Sequence, residues 1–101
     1  MEIAEIGKLL ETIGIPVSYR AFEKEQKPPY ICYMRVESNN FAADGVVYHK
    51  NTVVHIELYT KTIDVKLEDK VEEVLSSFFY EKSENYIKEE KIYQIVYEME
   101  V

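Results

Sequence analysis

The chain has 101 residues, 47% of them hydrophobic and 31% charged, with nine Tyr and four Phe, which is enough apolar material for one core and far from the composition of disordered chains. A formal charge of −7 repels phosphate backbones and argues against direct nucleic-acid binding, sequence-specific or otherwise. No basic stretch followed by an apolar run opens the sequence and no run of about 18 apolar residues occurs, so neither a signal segment nor a membrane span is expected.

In chain order, Ile3, Ile6, Leu9, Leu10 and Ile13 recur at helical spacing and predict an amphipathic helix over residues 2–13. Gly14 suits the left-handed position after the last turn, and Pro16 blocks continuation. Residues 16–19 read as a short extended segment, residues 23–29 as a polar connection, and residues 30–36 as a strand. Asp44-Gly45 fits a tight turn. Residues 46–49 and 52–59 flank Lys50-Asn51 as a possible hairpin, with Val54, Ile56 and Leu58 on one face of the second strand and Val53, His55, Glu57 and Tyr59 on the other. Asp64 reads as an N-cap, after which Leu67, Val71, Val74, Leu75 and Phe78 form a second helical stripe that is expected to run to about Tyr80. Residues 86–88 and 91–99 around Glu89-Glu90 predict a terminal hairpin.

These elements predict one domain over residues 1–101 with an α+β fold: a mostly antiparallel sheet of four to six strands, with two amphipathic helices packed on one face. In the last strand Ile92, Gln94, Val96 and Glu98 alternate with Tyr93, Ile95, Tyr97 and Met99, so both sides carry apolar or aromatic groups. Two helices cannot cover both sides of a sheet. Either the Tyr and Met side chains sit at the rim with wet ends, or they form a subunit interface, where aromatics and Met are enriched. On the second reading Tyr97→Asp or Tyr93→Lys weakens self-association more than folding, whereas Leu75→Asp unfolds the subunit.

Little in the sequence points to catalysis. Cys32, the single cysteine, sits between Ile31 and Tyr33 and reads as a small buried hydrophobe. His49 and His55 are the two histidines; a metal site needs both to converge with Glu57, and no metal is expected. Asp64, Lys66, Asp44 and Glu57 loosely resemble a nuclease pattern, but Asp64 at a helix start reads as a cap. Three glycines at positions 7, 14 and 45 make no phosphate loop, and no nucleophile elbow occurs, so no cofactor and no enzyme activity is expected.

The segments Asn40-Phe41-Ala42-Ala43-Asp44-Gly45-Val46-Val47-Tyr48, Val54-His55-Ile56-Glu57-Leu58-Tyr59-Thr60, Asp64 with Glu68 and Val71-Glu72, residues 84–87 and Tyr93-Gln94-Ile95-Val96-Tyr97-Glu98 resemble the small tail-completion or tail-terminator proteins of long-tailed phages and prophages. The resemblance implies an α+β subunit that self-associates, usually as a hexameric ring, at the head-proximal end of the tail. Its partners there are the tail-tube protein and the head connector, and its location is the virion, with the host cytoplasm during assembly. It implies no catalytic residues. On this resemblance the ring uses exposed sheet edges and the double-sided strands over residues 52–59 and 93–99, and the candidate interface is Asn40, Phe41, Asp44, His55, Glu57, Tyr59, Tyr93, Tyr97 and Met99. A head-completion connector and a non-viral protein-binding adaptor domain are the alternatives.

Overall fold

The computed structural model describes residues 2–36, 42–43, 46–47 and 52–101. Helix α1 spans Ile3–Glu11, β1 Val17–Tyr19, β2 Tyr30–Val36, β3 Ala42–Ala43, β4 Val46–Val47, β5 Val53–Thr60, α2 Val65–Val74, β6 Tyr80–Ile87 and β7 Ile92–Glu100. The sheet has the order β1-β2-β5-β7-β6, and β3 and β4 pair with each other. Among the described residues only β1 and β2 run parallel; the other pairings are antiparallel. The fold is therefore α+β, as the sequence predicts.

Both helices lie on one face of the sheet. Ile6 and Leu10 of α1, with Leu67 and Val71 of α2 and Leu75 just beyond it, close over Ile31, Val54, Ile56, Leu58, Ile95, Tyr97 and Met99 in one core. The pairings Val54↔Met99, Ile56↔Tyr97 and Leu58↔Ile95 align these side chains in rows across β5 and β7. Gly14 takes φ 96° after α1, and the Asp64 carboxylate accepts a 3.1 Å hydrogen bond from the Leu67 backbone N–H as the N-cap of α2.

This arrangement corrects the expectation for the last strand. Tyr97 and Met99 are 0% and 2% exposed, so neither is available as a surface residue. They share the parity of Ile95, which faces the helices. The Tyr97 hydroxyl is no obstacle to burial because it reaches Glu72 on α2, and no buried side-chain polar atom among the described residues lacks a partner.

Two boundaries also differ. Helix α2 ends at Val74 rather than near Tyr80, and β6 begins at Tyr80; Phe78 still packs against the core, from the turn rather than from a helix. The expected hairpin between residues 46–49 and 52–59 does not form, since β4 pairs with β3 while β5 takes β2 and β7 as neighbours. Strand pairing against two long partners buries both edges of β5, which a short hairpin cannot do.

Candidate functional site

The second face of the sheet carries the opposite parity: Tyr30, Cys32, Met34 and Val36 on β2, Val53, His55, Glu57 and Tyr59 on β5, and Ile92, Gln94, Val96 and Glu98 on β7. The core that holds both helices lies on the other side. At one end of this second face the connection between β1 and β2 folds over the strands. Phe22 meets Tyr30 edge-on at 5.3 Å, and Tyr30 stacks on Tyr59 at 4.8 Å. A cleft of about 580 Å³ opens there, with Arg20, Phe22, Tyr59 and Ile92 in its wall. Cys32 is buried in this region, and burial, reinforced by the Glu57 carboxylate, pushes its thiol pKa up, which disfavours a reactive thiolate.

A polar ladder runs across this face. Asn85 Nδ2 donates to Gln94 Oε1 at 3.3 Å, Gln94 Nε2 donates to the Tyr59 hydroxyl at 2.9 Å, and that hydroxyl donates to Glu57 Oε1 at 2.8 Å. His55 Nε2 lies 2.9 Å from Glu98 Oε2, and its Nδ1 lies 4.0 Å from Glu57 Oε2. Burial first, and the Glu57 carboxylate second, raise the Tyr59 phenol well above its ordinary value, against a smaller opposing effect of Gln94. Tyr59 therefore stays protonated and remains a donor. The strand alternation that keeps Val54, Ile56 and Leu58 inward puts His55, Glu57 and Tyr59 on this ladder, as their spacing predicts.

The ladder is built for positioning rather than for holding a cation. The two carboxylates approach opposite nitrogens of the His55 ring, so the three groups do not converge on one point. Among the described residues no group of three His, Cys, Asp or Glu is arranged to hold a metal ion. Asp64, of the loose nuclease pattern, spends its carboxylate on the α2 cap.

Of the candidate interface residues, His55, Glu57 and Tyr59 lie together on the second face. Tyr93 is half-buried on the helix side, tilted against Tyr86 of β6 at 4.9 Å. Tyr97 and Met99 belong to the core, and Asn40, Phe41 and Asp44 lie outside the described residues, as do Gly45 and His49. Sequence reasoning missed Gln94, Glu98 and Asn85 as ladder members, although the alternation in the last strand already placed Gln94 and Glu98 on one side.

The segments over residues 52–59 and 93–99, expected to serve with exposed sheet edges, are the interior strands β5 and β7, and the edges are β1 and β6. Beyond β1, the free edge of β2 is closed by side chains: the Arg35 backbone N–H donates to the Tyr19 hydroxyl at 3.3 Å, and Arg20 Nη2 donates to the Arg35 carbonyl at 2.9 Å. The hydrogen bonds from Arg35 hold the Tyr19 phenol below its ordinary value. At the opposite edge, β6 has no strand beyond it among the described residues. None of the helices among the described residues is long and apolar enough to cross a membrane. Comparison with protein-family models, curated proteins and solved structures finds no match.

Proposed function

We propose that this chain is a phage structural protein that assembles as a ring, hexameric in the simplest form, at the head-proximal end of the tail and joins the tail tube to the head connector. The observation that carries the reading is a sheet on which, among the described residues, both helices pack on one face, with the ordered polar ladder from His55 to Asn85 on the other. Ordering long polar side chains costs conformational entropy, and a preformed hydrogen-bonded surface spares a partner part of that cost. The segment between β2 and β5 carries the Asn40–Tyr48 part of the resemblance. Its flanking residues, Val36 and Val53, pair with each other at one end of the sheet.

On this reading the role is structural rather than catalytic. The −7 charge gives a ring wall that repels a passing duplex rather than trapping it. Light scattering after size-exclusion chromatography, over a wide range of concentration, tests the proposal together with negative-stain imaging. The expected species is a ring near six chains. A particle that stays monomeric alone and in the presence of tail tubes overturns the reading and favours a protein-binding adaptor.

A further inference from the structure

The two edges of the sheet differ in charge. On the β1/β2 edge, the exposed Arg20 and Arg35 have no carboxylate within salt-bridge distance among the described residues. The Arg20 guanidinium lies 5.6 Å from the centre of the Tyr19 ring, so charge and aromatic surface are presented together. On β6, the exposed Glu81 and Glu84 likewise have no cation within that distance. The one lysine of that strand, Lys82, is taken up by Glu68 at 2.8 Å and Glu72 at 2.7 Å.

Three of the five exposed large hydrophobic side chains among the described residues lie at the same two places, the other two being Ile63 and Val65 at the start of α2. Phe79 immediately before β6 is 96% exposed, Tyr86 near its end 52%, and Tyr19 on β1 36%. A soluble surface tolerates single apolar residues anywhere, but aromatic groups beside unpaired charges of opposite sign on opposite edges match the makeup of protein interfaces.

We infer that the acidic β6 edge of one copy, with Phe79 and Tyr86, docks against the basic β1/β2 edge of the next, with Tyr19, Arg20 and Arg35. The contact is heterologous, joining two different patches, so repetition generates a closed ring or an open filament rather than a two-fold dimer. Side chains carry it, because Tyr19 and Arg20 already occupy the backbone groups of Arg35 and leave that stretch of β2 closed to an added strand. The Glu81↔Glu98 register supports the assignment: two carboxylates stand directly opposite on adjacent strands, an arrangement that disfavours the isolated subunit and is relieved by an incoming arginine. This assignment rests on the self-association proposed above and specifies its surfaces.

Charge reversal tests it. The E81R/E84R variant has two basic edges and the R20E/R35E variant two acidic ones, so each is expected to lose at least tenfold in self-association measured by sedimentation velocity. An equimolar mixture is expected to regain the parental mass, because alternating copies restore every contact. Circular dichroism melts accompany each sample, and Arg35→Glu alone replaces the double variant if loss of the Arg20 hydrogen bond prevents folding. A parent that assembles while E81R/E84R assembles equally well overturns the edge assignment and leaves ring formation standing. A folded mixture that stays dissociated also overturns it. A parent that never self-associates overturns both.

Discussion

The Tyr97 hydroxyl donates a 2.9 Å hydrogen bond to Glu72 Oε2, the same oxygen that receives the Lys82 ammonium at 2.7 Å. A strand residue in the core is thereby joined to α2 and to the edge strand β6. Burial first and the Glu72 contact second raise the Tyr97 phenol far above its ordinary value, which keeps it a donor at any physiological pH. Tyr97→Phe removes one hydrogen bond to a charged group but leaves Glu72 its lysine, so a loss of roughly 1–2 kcal/mol is expected. Tyr97→Asp places a second carboxylate beside Glu72 in the core, for roughly 3 kcal/mol or more. Urea midpoints check both, and a folded, merely dissociated Tyr97→Asp subunit contradicts the core placement. Leu75→Asp, at a position 1% exposed, is expected to unfold the subunit in the same way.

The same cluster sets an acid limb. Hydrogen bonding from Lys82 lowers the Glu72 pKa below its ordinary value, burial opposes this, and the Tyr97 hydroxyl adds to the lowering. A carboxylate with a depressed folded pKa contributes stability that is present above its unfolded value and is lost as pH falls through the folded one. Denaturant midpoints of the parent are therefore expected to fall as pH drops below about 4.5, and Glu72→Gln is expected to flatten part of that fall. Identical pH profiles for the two proteins exclude this role for Glu72.

How far the sequence foretold the structure varies with the kind of signal. Period-two alternation in residues 53–60 and helical spacing in residues 3–13 both lead to buried faces, so those elements were legible. The last strand was harder because Tyr97 looks amphipathic in sequence, and only the position of Glu72 across space shows that its hydroxyl has an inside partner. The end of α2 was misjudged because Leu75 and Phe78 continue the helical spacing while packing on the core from a turn. His55, Glu57 and Tyr59 were placed correctly by alternation. Which strands form the edges was not legible, because the pairing of Arg20 with the Arg35 carbonyl depends on a parallel β1–β2 contact that no local pattern announces.

Gly7 offers a test of packing between α1 and β2. A Cβ at this helical position would run into the Tyr33 hydroxyl and approach Tyr33 Cζ to 2.7 Å, while Tyr33 is itself held edge-on against Tyr19 at 5.3 Å. Alanine is the better helix former by about 1 kcal/mol, yet Gly7→Ala is expected to destabilise by roughly 1–3 kcal/mol through overpacking. In a Tyr33→Ala background the obstruction is gone, and Gly7→Ala is expected to stabilise. Thermal melts of the four proteins form a double-mutant cycle, and the same sign for Gly7→Ala in both backgrounds contradicts the close approach.

Glu81 separates the stability of the subunit from that of the assembly. It stands opposite Glu98 in the β6–β7 register, and Glu98 is the carboxylate that meets His55 on the ladder. Like charges directly across a strand pair are destabilising, and an opposite-charge pair there contributes roughly 0.2–1 kcal/mol. Glu81→Lys is thus expected to raise the melting temperature of the dissociated subunit slightly, with the gain shrinking in high salt. The same substitution removes an acidic group from the edge proposed to meet Arg20 and Arg35 of a neighbouring copy, so self-association is expected to weaken. Opposite movements of melting temperature and oligomer mass in one variant are what an interface charge held against the interest of the isolated fold produces. A melting temperature and an oligomer mass that fall together would instead assign Glu81 to the internal stability of the hairpin.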